Sequence, residues 1–190
     1  MPQNTDIFKT GLERDPANFQ ALTPLSFLAW AEEVYGDRTA IIHGETQFTW
    51  YEFGARCRQL ASALSRHGIG HGDTVSIIAP NIPPMLEAHY GVPMIGAVLN
   101  SLNYRLDAST IAFILEHAEA KVLITDKEFS SVIKDALVIL DRDILVIDID
   151  DPLAKEGEFL GGQDYESFLS GGDPGHRMEM PEDEWQAICL

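Results

Sequence analysis

Three short apolar runs, Thr74 to Ala79, Val122 to Thr125 and Ile144 to Ile147, alternate along the chain with stretches whose apolar residues recur at helical spacing. The last run, Ile144-Leu145-Val146-Ile147, is apolar on both faces, which a strand needs when helices cover its sheet above and below. Alternation of this kind predicts an α/β fold: a layered, parallel-rich sheet flanked by helices. With 190 residues, 45% of them hydrophobic, the chain has the material for one globular domain or a domain with an appendage.

Thr23-Pro24 reads as a cap and start, because proline is tolerated in a first helical turn where its missing N–H has no partner to lose. Phe27, Leu28, Ala31 and Val34 then recur at helical spacing up to Gly36. Thr39 to His43 and Thr46 to Phe48 flank Gly44-Glu45 as a short hairpin. Thr49 with Glu52 forms a capping box for a helix whose apolar face is Trp50, Phe53, Cys57, Leu60, Ala61 and Leu64, ended by Gly68. A helix from about Pro84 to Ile95 is expected to kink or end at Pro93, which cannot donate to the carbonyl of His89. A short strand near Ala97 to Leu99 follows it. The remaining helices run from Asp107 to His117 and through Phe129, Val132, Ile133, Ala136 and Leu140, with a shorter one at Tyr165 to Leu169 stopped by Gly171-Gly172. Four segments result: an arm over 1–22, the α/β subdomain over 23–150, an acidic, glycine-rich surface excursion over 151–184, and a final strand over 185–190. Because no turn, cap or polar tail follows that apolar end, the domain is expected to be incomplete there.

The 30 Asp and Glu outnumber the 13 Lys and Arg and give a formal charge of -17. Such a chain repels phosphate backbones and anionic headgroups, so neither nucleic acid nor membrane is an expected partner. The start Met1-Pro2-Gln3-Asn4-Thr5-Asp6 lacks a basic, then apolar, export signal, and no apolar run is long enough to span a bilayer. Cys57 and Cys189 lack the spacing of a metal site or disulfide framework, which makes a reducing cytoplasm the simplest compartment.

Each candidate for chemistry has a plainer reading beside it. Gly68-Ile69-Gly70-His71-Gly72 follows a helix and precedes a strand, the reverse of the order that points a helix N-terminus at a phosphate, so it reads as a connection. His67 and His71 have i, i+4 zinc spacing, but Gly68 and Gly70 break the helix that would align them. His43, His89, His117 and His176 have no carboxylate or cysteine companions at ligand spacing. Asp148, Asp150 and Asp151 read as a solvated strand end, since no cation-loop spacing accompanies them. Ser101, Ser109 and Ser130 sit in no nucleophile elbow, and neither cysteine has an activating base beside it. The residues thus name no catalytic group, no cofactor-binding residue and no metal ligand.

Three ordered stretches nevertheless resemble the amino-terminal subdomain of the adenylate-forming, AMP-binding acyl-CoA synthetases. Phe48-Thr49-Trp50-Tyr51-Glu52-Phe53 is similar to that family's T-Y-x-E-L helix opening. Gly68 to Ile77, with Asp73-Thr74-Val75 inside it, is similar to G-x-x-x-G-D-x-V-x-I, and Pro80-Asn81-Ile82-Pro83 follows in place of P-N-x-P. Gly96-Ala97-Val98, Asn103-Tyr104-Arg105-Leu106 and Ala120-Lys121-Val122-Leu123-Ile124 match the succession G-A-V, N-x-R-L, A-K-V-L-I. Together they cover most of residues 23–126, in a flavour nearest to short- and medium-chain or aromatic acyl-activating enzymes.

The resemblance implies a full-length ligase that joins a carboxylic acid to coenzyme A through an acyl-adenylate, using ATP and Mg2+, with a homodimer among its known assemblies. Its phosphate loop, ribose-binding aspartate and catalytic lysine fall after Leu190, so this chain alone is expected to be inactive and to hold none of those ligands. Arg105 is a candidate contact for coenzyme A phosphates, although a local salt bridge or cap is the plainer role. The alternative function is a non-catalytic binding or regulatory module on the same scaffold. Such a module should protect its final strand edge, and Ile188-Cys189-Leu190 carries neither proline nor lysine.

Overall fold

The computed structural model describes residues 11, 15, 17, 19, 21 and 23–177 other than 155. Cys189 and the final strand expected over 185–190 lie outside the described residues, as does most of the 1–22 arm.

Helix α1 (Pro24–Tyr35) starts where the proline signal placed it, with Thr23 extended at the cap position and Gly36 beyond its end. Its buried stripe is Leu25, Leu28 and Ala31, whereas Phe27 and Val34, expected on the apolar face, are at least half exposed. Both stripes are apolar, so spacing alone cannot choose between them. Strands β1 (Thr39–His43) and β2 (Thr46–Thr49) pair antiparallel with His43 opposite Thr46. Gly44 takes φ +58° in the tight turn between them, a conformation that a side chain would strain.

In α2 (Trp50–Arg66) the capping box forms as expected: Thr49 Oγ1 accepts from the Glu52 amide, and the Glu52 carboxylate accepts from the Thr49 amide at 2.8 Å. Helix α3 (Pro83–Gly91) stops before Pro93, where a 3-10 turn over Pro93–Ile95 takes over and Gly96 closes it at φ +68°. The proline therefore ends the helix instead of bending it.

Five parallel strands form the main sheet in the order β4-β3-β5-β6-β7: β3 (Thr74–Ile78), β4 (Val98–Ser101), β5 (Val122–Asp126), β6 (Leu145–Ile149) and β7 (Gln163–Asp164). Period-two alternation splits each strand between two cores. Val75, Ile77, Val122, Ile124 and Ile147 face the layer that holds α1, α2, α3 and α6 (Tyr165–Ser170). Ile78 and Leu123 face α4 (Ala108–His117) and α5 (Ser130–Leu140). Both faces of β3 and β5 are buried, which is why these runs carry little polar alternation. Where a polar pair does occur, at Ser76 and Asn100 in adjacent register, it is satisfied internally by a 3.0 Å hydrogen bond.

The segment after β6 crosses the surface and then returns to the body. Asp148 accepts from the amides of Leu160 (3.0 Å) and Gly161 (2.6 Å), which sets β7 against β6, and α6 then inserts Tyr165, Phe168 and Leu169 into the larger core.

Candidate functional site

β3 lies between β4 and β5, so successive crossovers leave it in opposite directions. Open α/β sheets bind ligands outside the carboxyl ends of their strands at such a reversal. The residues that follow those ends are Pro80 to Ile82 after β3, Leu102 to Leu106 after β4, Lys127 to Phe129 after β5, and Asp150 to Pro152 after β6.

An apolar cleft of about 470 Å³ opens at this edge between β1 and α3, with Ile41, Ile42, Ile82, Pro83, Met85 and Tyr90 in its walls. His43, Asn81 and His89 are its polar members. A smaller recess of about 120 Å³ shares His43, Ile82 and Pro83 with it and continues toward Asp151 and Tyr165. His43 Nε2 lies 2.9 Å from Asp151 Oδ1, which also accepts from the Leu153 amide, so the imidazole is oriented by a carboxylate that already has a backbone partner. His89 Nδ1 donates to the Met85 carbonyl at 2.8 Å, which leaves Nε2 as the acceptor of the neutral ring. Among the described residues the walls hold no serine, cysteine or lysine, and their mainly aliphatic lining suits the cleft to sequestering an apolar group.

Behind the recess lies a charged network. Arg56 on α2 gives Nε to Glu87 Oε1 (2.5 Å) and Nη1 and Nη2 to Glu166 (2.9 and 2.6 Å), while Tyr165 Oη donates to Glu87 Oε2 at 2.8 Å. Burial pushes the Glu87 carboxyl up, and the hydrogen bonds from Arg56 and Tyr165 pull it back. Burial also opposes the charge on Arg56, but Glu166 and Glu87 together outweigh it and raise that pKa. With all its hydrogen bonds directed at two carboxylates and its face over the Phe48 ring at 4.7 Å, Arg56 joins α2, α3 and α6 and is not available to an anionic ligand.

On the other side of the same edge, Tyr104 stacks on Phe129 with ring centroids 5.6 Å apart and planes 22° apart, and the Arg105 guanidinium lies 5.7 Å from the Tyr104 centroid. Among the described residues, the expected local salt bridge or cap does not form. Arg105 is exposed, its guanidinium has no carboxylate within ion-pair distance among the described residues, and only its amide is tied, to Asn103 Oδ1 at 3.0 Å. At the end of β5, Asp126 is fully buried, with Oδ1 capping the Glu128 amide and Oδ2 without a hydrogen-bond partner among the described residues; burial pushes this carboxyl up.

The other sequence candidates go to separate places. Gly72 bonds to Gly96 at the amino edge of the sheet, so the Gly68–Gly72 connection sits opposite the cleft. His67 packs at a tilt against Phe168 and donates to the Ala63 carbonyl, while His71 packs beside Gly96. Asp148 clamps the returning segment, Asp150 pairs with Lys127, and Asp151 holds His43. Ser109 donates to Asp107, and Ser130 accepts from the Glu158 amide. Among the described residues, no three His, Cys, Asp or Glu stand close enough to hold a metal ion. Burial raises the Cys57 thiol well above its usual range, so it is not a thiolate. Sequence reading missed the cleft because His43 and Asp151 stand 108 positions apart and meet only through tertiary packing.

The chain matches the family described as AMP-binding enzyme over residues 28–188. An acetate–CoA ligase of Humulus lupulus is 48% identical over 94% of this chain and 34% of that protein. A peroxisomal acetate/butyrate–CoA ligase of Arabidopsis thaliana is 46% identical over the same shares. Among solved structures, an anthranilate CoA ligase in complex with anthranoyl-AMP superposes with a TM-score of 0.76 at 18% identity, covering 88% of this chain and 32% of that one. A Burkholderia xenovorans benzoate CoA ligase gives 0.71 at 20% identity over 83% and 30%. At such identities these two show a shared fold, the expected amino-terminal α/β region. The chain spans about a third of the length of the relatives it matches.

Proposed function

The chain belongs to the AMP-binding enzyme family, and on that premise we propose that it is the amino-terminal portion of an ATP-dependent acyl-CoA synthetase acting on a short-chain carboxylic acid. In that reaction the carboxylate attacks the α-phosphate of ATP and releases pyrophosphate. The thiol of coenzyme A then attacks the acyl carbon, the carbon–oxygen bond to AMP breaks, and the thiol proton is lost. The observation that carries the reading is the 48% identity to an acetate–CoA ligase along almost the whole chain. The acetate and butyrate ligases among its relatives favour a short aliphatic acid over an aromatic one, since the aromatic ligases share the fold at 18 to 20% identity.

The described residues do not fit ATP or Mg2+. Their carboxyl edge has no glycine-rich turn from strand to helix that could cradle a triphosphate. We assign ATP and Mg2+ to residues other than the described ones. Coenzyme A has one fitting group here: Arg105, cationic, exposed and backed by stacked rings, is the proposed contact for its phosphates. For the compartment, the absence of disulfide spacing supports the cytoplasm, and the peroxisomal relatives name the competing organelle. No described helix is long and apolar enough to cross a membrane.

The test is a pyrophosphate-release and thioester assay on the full-length gene product with acetate, butyrate, octanoate and benzoate. Turnover is expected with the two short acids and not with the 190-residue chain alone. Turnover by that chain, or none by the full-length product with any acid, overturns the proposal.

A further inference from the structure

We draw no further inference here: the strongest candidate, the exposed apolar face that Phe27, Trp30 and Val34 form along α1, carries nothing because no feature of the structure shows what covers it.

Discussion

Arg56 Nε lies 2.5 Å from Glu87 Oε1, and Glu87 is fully buried, so one ion pair ties α2 to α3 and receives Tyr165 from the returning segment. Removing the cation leaves a buried carboxylate unpaired. Arg56→Met is expected to lower the unfolding free energy by about 3–5 kcal/mol, and Arg56→Met with Glu87→Met together by much less. Urea denaturation of the two variants checks this; equal losses would mean that leaving Glu87 unpaired carries no penalty.

Gly161 and Gly162 separate close approach from open space. A Cβ at Gly161 would lie 2.1 Å from the Val146 carbonyl oxygen, whereas one at Gly162 meets nothing within 4 Å. Gly161→Ala is expected to cost at least about 2 kcal/mol and to speed amide exchange through β7 and α6, while Gly162→Ala stays within about 0.5 kcal/mol of the parent. Hydrogen exchange across residues 163–170 reads the difference.

Asp107 sets an acid limit. Hydrogen bonds from Ser109 and from the Thr110 amide and hydroxyl hold its carboxyl down to about 2. A carboxyl depressed in the folded state contributes stability above its unfolded value of about 3.9 and loses it as pH falls toward about 2. Asp107→Asn is therefore expected to flatten the stability–pH curve between these limits while leaving its slope near neutrality unchanged. Thermal unfolding from pH 5 to pH 2 shows whether the slope follows this residue.

Arg105 has no ion pair to lose among the described residues, so Arg105→Ala should leave stability within about 0.5 kcal/mol of the parent. In the full-length enzyme the same change is expected to raise the KM for coenzyme A by roughly tenfold with little change in kcat for adenylate formation, and Arg105→Lys should restore part of it. An unchanged coenzyme A KM would remove Arg105 from the site.

Much of the fold was legible because its signals are local. The Thr49–Glu52 box, Pro24 in the first turn of α1, Gly44 in the hairpin and Pro93 as a stop each act through neighbours within a few residues. The family could also be read, because its phrases are contiguous runs in a fixed order. The candidate site could not: His43 reaches Asp151, and Arg56 reaches Glu87 and Glu166, over separations of 31 to 110 positions that no periodicity records.

By itself, the sequence determined most of the helices and strands up to Ile147, that the sheet is parallel and covered on both faces, and which family the chain resembles. These follow from residue spacing and local backbone chemistry. The tertiary structure alone decided that α1 buries Leu25 and Leu28 while exposing Phe27 and Val34, that the segment after Asp148 returns to complete the sheet and core, and that a hairpin histidine overlooks an apolar cleft at the strand ends. Each of those outcomes depends on which surfaces meet, a choice made by packing between residues far apart in the chain.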